Sequence, residues 1–329
     1  MKIVLTGSSG FIGNNLLEEV ERRFSEAEIL CLVRNSKNLT SRNRIKFFEV
    51  DYLDRESLLN CPALEQADYV YHVAGVTKSV SKKGFWEGNV LPTKHLLETL
   101  VRKNTIPKRF VLISSQTASG SSRNRDHYRR EDEPENPLEL YGQSKLEVER
   151  QLREYVHTVP FTIISPAGVY GPWDTDFYNI FKMTKYGINI FAGNKNQVVS
   201  LIYVKDLVKA IVDASLSKNA EYQKYFICND EPISWEEIHN AIFNAVGRKK
   251  FNISIPLTLI NALSYFGSWY STIVHKPILL NRNKVQLLKS EYWIVSNQKA
   301  KTDFSFRCNY SFAEGIKETY NWYKEHHWL

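Results

Sequence analysis

Apolar and polar positions follow one another along the first two thirds of the chain in the order strand, helix, strand. Short apolar runs predict strands, and longer segments with apolar residues at helical spacing predict helices. The predicted strands are residues 2–6, 28–33, 45–50, 68–73, 109–114, 161–165 and 201–204. The predicted helices are residues 11–24, 88–103, 138–157 and 206–217. This order predicts an α/β fold: a doubly wound parallel sheet with helices on both faces.

The strand–helix order weakens after Gly171, where aromatic residues and isolated prolines become frequent. We therefore expect two interleaved parts. Residues 1–171 together with 199–230 would form the domain that contains the sheet. Residues 172–198 and 231–329 would form a smaller lobe over the carboxyl edge of that sheet, where ligands bind in open α/β folds.

A glycine-spaced turn connects the first predicted strand to the first predicted helix, with Gly7, Gly10 and Gly13 spaced as GxxGxxG. In a dinucleotide site the first glycine permits the tight turn and the second lets the backbone approach the pyrophosphate. The third lets the helix pack against the strand, and the helix N-terminus binds the phosphate. With Phe11 and Ile12, these glycines predict a Rossmann cofactor site, although an ordinary tight strand-to-helix connection has the same pattern.

The end of the second strand indicates which dinucleotide is bound. A carboxylate there normally binds the adenosine ribose, but this chain has Arg34. A guanidinium can pair with a ribose 2′-phosphate and stack on adenine, so NADP(H) is favoured and NAD(H) is possible. The third strand ends in Asp51, Tyr52 and Leu53, where the aspartate could accept a hydrogen bond from the adenine amino group. The alternatives are a solvated arginine and a turn aspartate.

Tyr141 and Lys145 are four residues apart on a predicted helix and therefore share one of its faces. A tyrosine with a pKa of about 10 gives up its proton poorly at neutral pH unless a nearby positive charge stabilises the phenolate. Lys145 could supply that charge, which suggests an acid/base catalyst. Ser115, at the end of the fifth strand, could hold a substrate oxygen against the tyrosine, and Ser114 is the fallback. Alone, this spacing is commoner on a plain surface helix.

Several ordered motifs together resemble the extended short-chain dehydrogenase/reductase family, which includes the NAD-dependent epimerases and dehydratases. Residues 6–13 read TGSSGFIG and match TGxxGxxG, and residues 141–145 match YxxxK. Residues 166–172 resemble PxxVYGP, and residues 203–206 resemble the hVxD motif of the second domain. Residues 72–75 resemble the stretch that lines the cofactor after strand four.

The resemblance implies roles for individual residues. Ser115 matches the catalytic Ser/Thr, Tyr141 the general acid/base, and Lys145 the lysine that binds the nicotinamide ribose and lowers the pKa of the tyrosine. The family's tyrosine after the catalytic serine is replaced here by Ser119. The residues implied to line the cofactor are Ala74, Gly75, Pro166 and Val169. The predicted helices 88–103 and 138–157 are those through which related enzymes form homodimers.

Two departures from the family indicate the branch. Nucleotide-sugar members usually carry an arginine where this chain has Val199, and often another where it has Ser165. With Arg34, these changes look more like the dihydroflavonol reductase and 3β-hydroxysteroid dehydrogenase-like members. We therefore expect hydride transfer between NADP(H) and a ketone or secondary alcohol of an apolar small molecule.

Two alternatives stay open. One is a nucleotide-sugar epimerase or dehydratase; epimerisation is the better version, because Gln116 and Thr117 stand where a dehydratase should carry acidic residues. The other is a non-catalytic NADP(H)-sensing protein. The aromatic residues of the C-terminal part either line an apolar pocket or form a core: Trp173, Phe177, Tyr178, Phe181, Tyr265, Phe266, Trp269 and Tyr270.

Composition narrows the remaining classes. The chain has 329 residues and a net charge of +7, spread without a long basic run, so nucleic acid is not an expected partner. Its four cysteines lack CxxC or metal-ligand spacing, which predicts no metal site and a reducing, cytoplasmic location. The uncharged segment 252–275 has too low an apolar density for a membrane span, and we expect it to be buried or to face the substrate.

Overall fold

The computed structural model describes residues 1–37, 39–247, 251–274 and 282–329. Its strands are β1 (Lys2–Thr6), β2 (Glu28–Val33), β3 (Ile45–Glu49), β4 (Tyr69–His72), β5 (Arg109–Ile113), β6 (Phe161–Pro166), β7 (Gly168–Tyr170), β8 (Ile188–Ala192), β9 (Val198–Val199), β10 (Leu201–Tyr203), β11 (Gln223–Ile227), β12 (Ile233–Ser234), β13 (Phe251–Ile255) and β14 (Tyr292–Trp293). Its α-helices are α1 (Phe11–Arg23), α2 (Arg55–Leu59), α3 (Lys82–Phe85), α4 (Leu91–Arg102), α5 (Leu140–Arg153), α6 (Asp176–Lys185), α7 (Val204–Leu216), α8 (Trp235–Val246), α9 (Leu257–Val274), α10 (Arg282–Lys289), α11 (Gln298–Phe304) and α12 (Phe312–Glu325). A π-helical segment, Trp86–Val90, joins α3 to α4.

The central sheet has seven strands in the order β11-β6-β5-β4-β1-β2-β3, and every pair in it is parallel. The chain moves outward in one direction from β1 through β2 to β3, then crosses to β4 on the other side of β1. This reversal creates a crevice at the carboxyl ends of β1 and β4, where open α/β sheets bind their ligands. The predicted doubly wound α/β fold is therefore confirmed.

Apolar residues of the strands are buried on both faces of the sheet, which explains why these strands read as continuous apolar runs. On one face, Ile3 and Leu5 of β1 belong to a core that includes helices α1 and α7. On the other face, Val4 belongs to a core with residues of α4 and α5 such as Leu97 and Leu152. Alternate residues of a strand point to opposite faces, so a single apolar run serves both cores.

Strand β11 is the seventh strand, and the sequence pattern did not reveal it. Its first residues are the polar Gln223 and Lys224. Lys224 is buried although its side chain is charged. All seven strands of this sheet fall within residues 1–171 and 199–230. The division into that domain and a lobe of residues 172–198 and 231–329 stays a prediction.

Asp206, in the hVxD motif at the start of α7, binds the C-terminal segment by hydrogen bonds. Its buried carboxylate accepts hydrogen bonds from the backbone N–H groups of Asn309, at 3.0 Å, and Tyr310, at 3.2 Å. Helix α12 follows directly and packs on α6 and α8. The aspartate of this motif therefore fixes where the last helix begins.

Of the aromatic residues selected from the sequence, Phe177 and Phe181 are buried in the core of this C-terminal part, whereas Trp173 and Tyr265 are exposed. Phe181 stacks on Tyr320 with ring centroids 6.1 Å apart, and Trp173 lies 5.0 Å from Trp322. The core interpretation therefore holds for Phe177 and Phe181. Among the others, the side chains of Phe266, Trp269 and Tyr270 lie outside the described residues.

Segment 252–275 forms most of β13 and then α9, and its last residue lies outside the described part. Leu259 and Leu263 are exposed on α9, so burial is not observed for these two residues, and the expectation that the segment faces the substrate stays a prediction. Among the described residues, no helix is both long enough and apolar enough to cross a bilayer.

Candidate active site

The glycine turn after β1 has the geometry that a bound pyrophosphate requires. Gly7 has φ +72°, and a Cβ at this position would lie 2.7 Å from the backbone nitrogen of Ala74. A Cβ on Gly13 would lie 1.9 Å from the carbonyl oxygen of Gly7, so only glycine lets α1 pack this close. Gly10 is the N-cap of α1 and offers no side-chain acceptor to the first N–H groups of the helix. Those groups can bind a phosphate, so the residues fit a dinucleotide.

A buried chain of hydrogen bonds connects this turn to the loop after β4. The N–H of Ala74 donates to Thr6 Oγ1, which lies 2.9 Å from His72 Nδ1. Thr93 donates its hydroxyl proton to the carbonyl of Asn89, so it accepts the Nε2–H of His72 at 2.9 Å, and Nδ1 of the neutral ring accepts from the Thr6 hydroxyl. Burial lowers the pKa of His72 to about 3, which keeps the ring neutral. His72 is thus a structural histidine.

The π-helical segment before α4 places Asn89 where it holds the same loop. Asn89 Oδ1 accepts the N–H of Val76 at 2.7 Å, while its Nδ2 donates to the carbonyl of Val76 and to Ser144 Oγ on α5. A Cβ on Gly75 would lie 2.8 Å from Asn89 Oδ1 and 3.2 Å from Lys145 Nζ. A side chain at position 75 would therefore require Asn89 or Lys145 to shift. A π segment at such a place is typical of functional sites.

Tyr141 lies at the start of α5 beside Ser115, which caps the short helix after β5. Ser115 Oγ accepts hydrogen bonds from the backbone N–H and the hydroxyl of Thr117. Burial raises the pKa of Tyr141, the Glu139 carboxylate raises it further, and a hydrogen bond with Ser115 lowers it. Ser114, the fallback, instead donates its hydroxyl to Glu149. The geometry therefore favours Ser115 as the serine that acts with the tyrosine.

Lys145 is buried one turn further along α5, and its Nζ donates to the carbonyl oxygen of Ile113 at 2.9 Å. Burial lowers its pKa to about 8, and the charge of Glu149 counteracts part of that effect. Nζ lies 6.0 Å from the centre of the Tyr141 ring. The expectation that Lys145 lowers the pKa of Tyr141 is not met by the protein residues alone, because burial and Glu139 dominate.

Glu149 is a member of this site that sequence reasoning missed. Its carboxylate is fully buried and accepts hydrogen bonds from Ser114 and Ser165, from Lys224 at 2.8 Å and from Arg153 at 3.2 Å. Its position four residues after Lys145, on the same helix face, was the available signal. A buried carboxylate is stable only when paired in this way.

Lys224 accounts for one departure from the family pattern. Besides binding Glu149, its Nζ donates to Ser119 Oγ at 2.9 Å, at the position where the family carries a tyrosine. Lys224 comes from β11, so it ties that strand to both the loop after β5 and helix α5. Because the partners are far apart in sequence, no local pattern could have revealed the contact.

The residues predicted to bind the adenosine end lie at the carboxyl ends of β2 and β3. Arg34 follows β2 directly and is exposed. Asp51 is exposed and accepts the N–H of Leu53, itself an exposed residue, at 2.9 Å. The Tyr52 side chain points away, since its hydroxyl donates to the buried carbonyl of Leu32. Any contact of Tyr52 with a cofactor would therefore come from its backbone.

The remaining predicted residues lie on the other side of the crevice. Phe11 and Ile12 are partly buried in the first turn of α1, Pro166 ends β6, and Val169 is partly buried in β7. Val199, which replaces the family's arginine, is buried in β9 between β12 and β14. The cofactor and catalytic assignments stay predictions, supported by this placement.

The arrangement joins the glycine turn, a partly buried tyrosine and a buried lysine at one edge of the sheet. A bound nicotinamide dinucleotide supplies a hydride acceptor or donor. The residues of this chain supply the rest: Tyr141 can take or give a proton at a substrate oxygen, Ser115 can orient that oxygen, and Lys145 supplies a positive charge.

Known proteins resemble the chain over most of its length. It is 28% identical to a dTDP-D-glucose 4,6-dehydratase of Dictyostelium discoideum, over 74% of this chain and 62% of the relative. It is 25% identical to the decarboxylating sterol-4-alpha-carboxylate 3-dehydrogenase of Mus musculus, over 97% of this chain and 90% of the relative. The structure of a UDP-glucose 4-epimerase of Thermotoga maritima superposes with a TM-score of 0.81 at 19% identity, covering 99% of both chains.

The sequence profile of the NAD dependent epimerase/dehydratase family matches residues 3–228, which include the glycine turn, Ser115, Tyr141 and Lys145. This match covers more than half of the chain and agrees with the geometry of the crevice. The chain therefore belongs to the NAD dependent epimerase/dehydratase family of extended short-chain dehydrogenases/reductases and is an NAD(P)-dependent enzyme.

Proposed function

We propose that the protein is an epimerase that acts on a nucleotide sugar. The observation that carries the proposal is the placement of Ser115, Tyr141 and Lys145 at the crevice of a fold shared with a UDP-glucose epimerase. Epimerisation is preferred to dehydration because Gln116 and Thr117 follow the serine and carry no carboxylate. A non-catalytic sensing role is disfavoured because all three catalytic residues are present.

In this proposal the residues of the chain move one proton and hold the sugar. Tyr141 takes the proton of a sugar hydroxyl as the carbon is oxidised, and returns it when the carbon is reduced from the other side. Ser115 hydrogen-bonds the same oxygen and keeps it at the tyrosine. The buried charge of Lys145 favours the phenolate once the cofactor has displaced water from the crevice.

The test is whether the purified protein converts a nucleotide sugar into its epimer. The purified protein, supplied with NAD⁺, is incubated with UDP-glucose, UDP-glucuronate, UDP-N-acetylglucosamine and dTDP-glucose, and the products are separated from their epimers by chromatography. We expect one sugar to equilibrate with its epimer without net consumption of cofactor, and Tyr141→Phe to abolish the conversion. Failure of all the sugars, together with stoichiometric oxidation of NADPH by a ketone, would refute the epimerase.

A carbonyl reductase is the second candidate, favoured by a specific observation. Val199 lies in a buried strand where an arginine would be needed to pair with a sugar diphosphate, and the full-length likeness to a sterol dehydrogenase agrees with an apolar substrate. We infer for this candidate a preference for NADP(H), because Arg34 is exposed at the adenosine end. Net oxidation of the cofactor distinguishes the two candidates, since only the reductase consumes it.

We further propose that the C-terminal residues 172–198 and 231–329 bind the substrate, and that α4 and α5 pair two copies of the chain. A cavity of about 310 Å³ lies beside α5 and is lined by apolar residues such as Trp86 and Leu140 and by charged ones such as Glu147 and Arg150. Trp86 is exposed there, and an exposed aromatic side chain favours burial against a partner. Sedimentation velocity tests this: a monomer at all concentrations would contradict the pairing. A cytoplasmic location stays a prediction.

A further inference from the structure

The ribbon formed by β8 and β13 carries its apolar side chains on the outside. The two strands are parallel, with Ile188 opposite Phe251 and Ile190 opposite Ile253, so these four side chains share one face. Phe251 is 70% exposed and Ile188 is 38% exposed. Between the two isoleucines of β8, Asn189 is only 1% exposed.

The opposite face of β8 is the buried one, and it holds one polar and one apolar residue, Asn189 and Phe191, which are 1% and 5% exposed. Asn189 Nδ2 donates to Asn252 Oδ1 at 2.7 Å, and Asn189 Oδ1 is hydrogen-bonded to His239 of α8. A sheet with one face in water normally buries its apolar residues. Ile188 and its partner Phe251 lie on the exposed face instead, so the protein's own core does not account for these two side chains.

More exposed apolar residues precede and follow the ribbon along the chain. Tyr186, two residues before β8, is 70% exposed. Helix α9 begins two residues after β13, and Leu259 and Leu263 are exposed one turn apart on it, while Ile260 and Ser264 are buried. We call these residues the interfacial patch; it consists of Tyr186, Ile188, Phe251, Ile253, Leu259 and Leu263. A group of exposed apolar side chains of this size is typical of a site of interaction.

Basic residues flank the interfacial patch along the chain. Lys182 and Lys185 are exposed in the last turn of α6, directly before Tyr186. Along the chain, residues 238–290 contain seven Lys and Arg and no Asp or Glu. An apolar surface flanked by basic residues complements a partner that has an apolar interior and an anionic surface. Two copies of the chain would instead bring like charges together.

We propose that the interfacial patch docks on a lipid bilayer that contains anionic lipids. The aromatic and aliphatic side chains enter the boundary between headgroups and acyl chains, and the lysines meet the headgroup phosphates. Because no described helix can span a bilayer, the protein lies on the surface. The docking is independent of the reaction proposed above, and would bring the enzyme to a membrane-associated substrate or product.

The test is flotation of the full-length protein, saturated with cofactor, on vesicles. One set is pure phosphatidylcholine and the other contains phosphatidylglycerol as a minor component. We expect binding to the anionic vesicles that weakens with added salt, since surface charges are screened. Tyr186→Asp and Phe251→Asp should each weaken it about tenfold or more, because each removes a large apolar side chain and adds a repelled charge. Leu216→Asp, at an exposed leucine ending α7, should leave it unchanged.

Three outcomes would overturn the proposal. The first is absence of binding to anionic vesicles, and the second is equal binding by the two patch variants and the wild type. The third is a self-association that disappears in the patch variants, because it would assign the surface to a second copy of the chain. Melting temperatures of the variants are recorded in parallel. A variant that does not fold is replaced by Leu263→Asp.

Discussion

Lys145 Nζ donates a hydrogen bond of 2.9 Å to the carbonyl oxygen of Ile113, the last residue of β5. This bond ties helix α5, which carries Tyr141, to the strand that leads into Ser115. The lysine is therefore both a charge in the crevice and a link between the two elements that carry the proposed catalytic residues. Its protonation is set by two opposing influences, burial and Glu149.

The first prediction concerns the titration of Lys145. Because burial lowers its pKa to about 8, the amine of the cofactor-free protein should lose its proton near pH 8, and carbon NMR of the lysine ε-carbons measures this. Glu149→Gln removes the charge that raises this pKa, so the midpoint should move lower. Lys108 serves as internal control, since its pKa is raised by Asp68. A Lys145 midpoint near that of a free lysine would contradict the assigned burial.

The same titration affects stability with a definite sign. The folded protein releases the Lys145 proton at a lower pH than the unfolded chain does. Between about pH 8 and the normal lysine pKa of about 10.4, the unfolded chain binds more protons, so this group makes stability rise with pH. Below pH 8 it contributes a constant penalty. Lys145→Met should remove this part of the pH dependence in urea denaturation curves.

Tyr141→Phe should abolish most of the turnover while leaving cofactor binding intact. The substitution removes only the hydroxyl that exchanges a proton with substrate, and general acid–base catalysis contributes about 10²–10⁴-fold in rate. The measurement is kcat for whichever reaction proves active, together with titration of cofactor binding by fluorescence. Tyr71→Phe is the matched control, because that buried hydroxyl bonds Ser215 of α7. Near-normal kcat in Tyr141→Phe would remove the tyrosine from the mechanism.

Arg34→Asp tests the choice of dinucleotide. A carboxylate at the end of β2 would repel a ribose 2′-phosphate and accept a hydrogen bond from an unmodified ribose, so affinity should shift from NADP(H) toward NAD(H). Calorimetric titration with both cofactors measures the ratio of the dissociation constants. Arg307→Asp makes the same charge change at an exposed site on the C-terminal segment. If the ratio is the same in wild type and variant, Arg34 does not select the cofactor.

Thr93→Val should destabilise the loop that borders the cofactor site. The substitution leaves the N–H of His72 without its acceptor in a buried place, which costs about 1–3 kcal/mol of unfolding free energy. Urea denaturation measures the loss, and cofactor affinity should fall too, because the chain of bonds ends at Ala74. Thr99→Val, at another buried threonine of α4, is the control. Equal stability of both variants would show that the chain of bonds does not hold the loop.

Structural features that depend on residues adjacent in the sequence could be predicted from it. Strands β1 and β2 have the predicted bounds, because apolar runs ending in a glycine turn or an arginine are local signals. The helix predicted at 88–103 instead begins at Lys82 and contains the π segment, because Asn89 bonds Val76 and Ser144 in other elements. Tertiary contacts of this kind leave no trace in periodicity.

The ribbon of β8 and β13 is a second feature that periodicity alone does not predict. Its alternation of isoleucine and asparagine indicates a strand, but the period alone does not say which set of side chains is buried. Local rules favour burial of Ile188, yet Asn189, which is hydrogen-bonded to Asn252 and His239, is buried and Ile188 is exposed. The pairing therefore determines the exposed surface, and a single strand could not have predicted it.

Two substitutions in the glycine turn distinguish its role in folding from its role in cofactor binding. Gly13→Ala would place a methyl group 1.9 Å from the Gly7 carbonyl oxygen, so α1 must move and the melting temperature should fall strongly. In Gly10→Ala the nearest atom, the same oxygen, is 3.4 Å away, and the backbone has an ordinary φ of −91°. This variant should fold normally.

Gly10→Ala should nevertheless lose cofactor affinity, because its methyl group would stand at the helix N-terminus where the pyrophosphate approaches the backbone. Thermal unfolding with and without NAD(H) or NADP(H) reads both effects at once, since a ligand bound by the folded state raises the melting temperature. We expect the cofactor-induced shift to vanish in Gly10→Ala at an unchanged base temperature. A normal shift in that variant would mean that the phosphates bind elsewhere, and the assignment of the whole crevice would then fail with it.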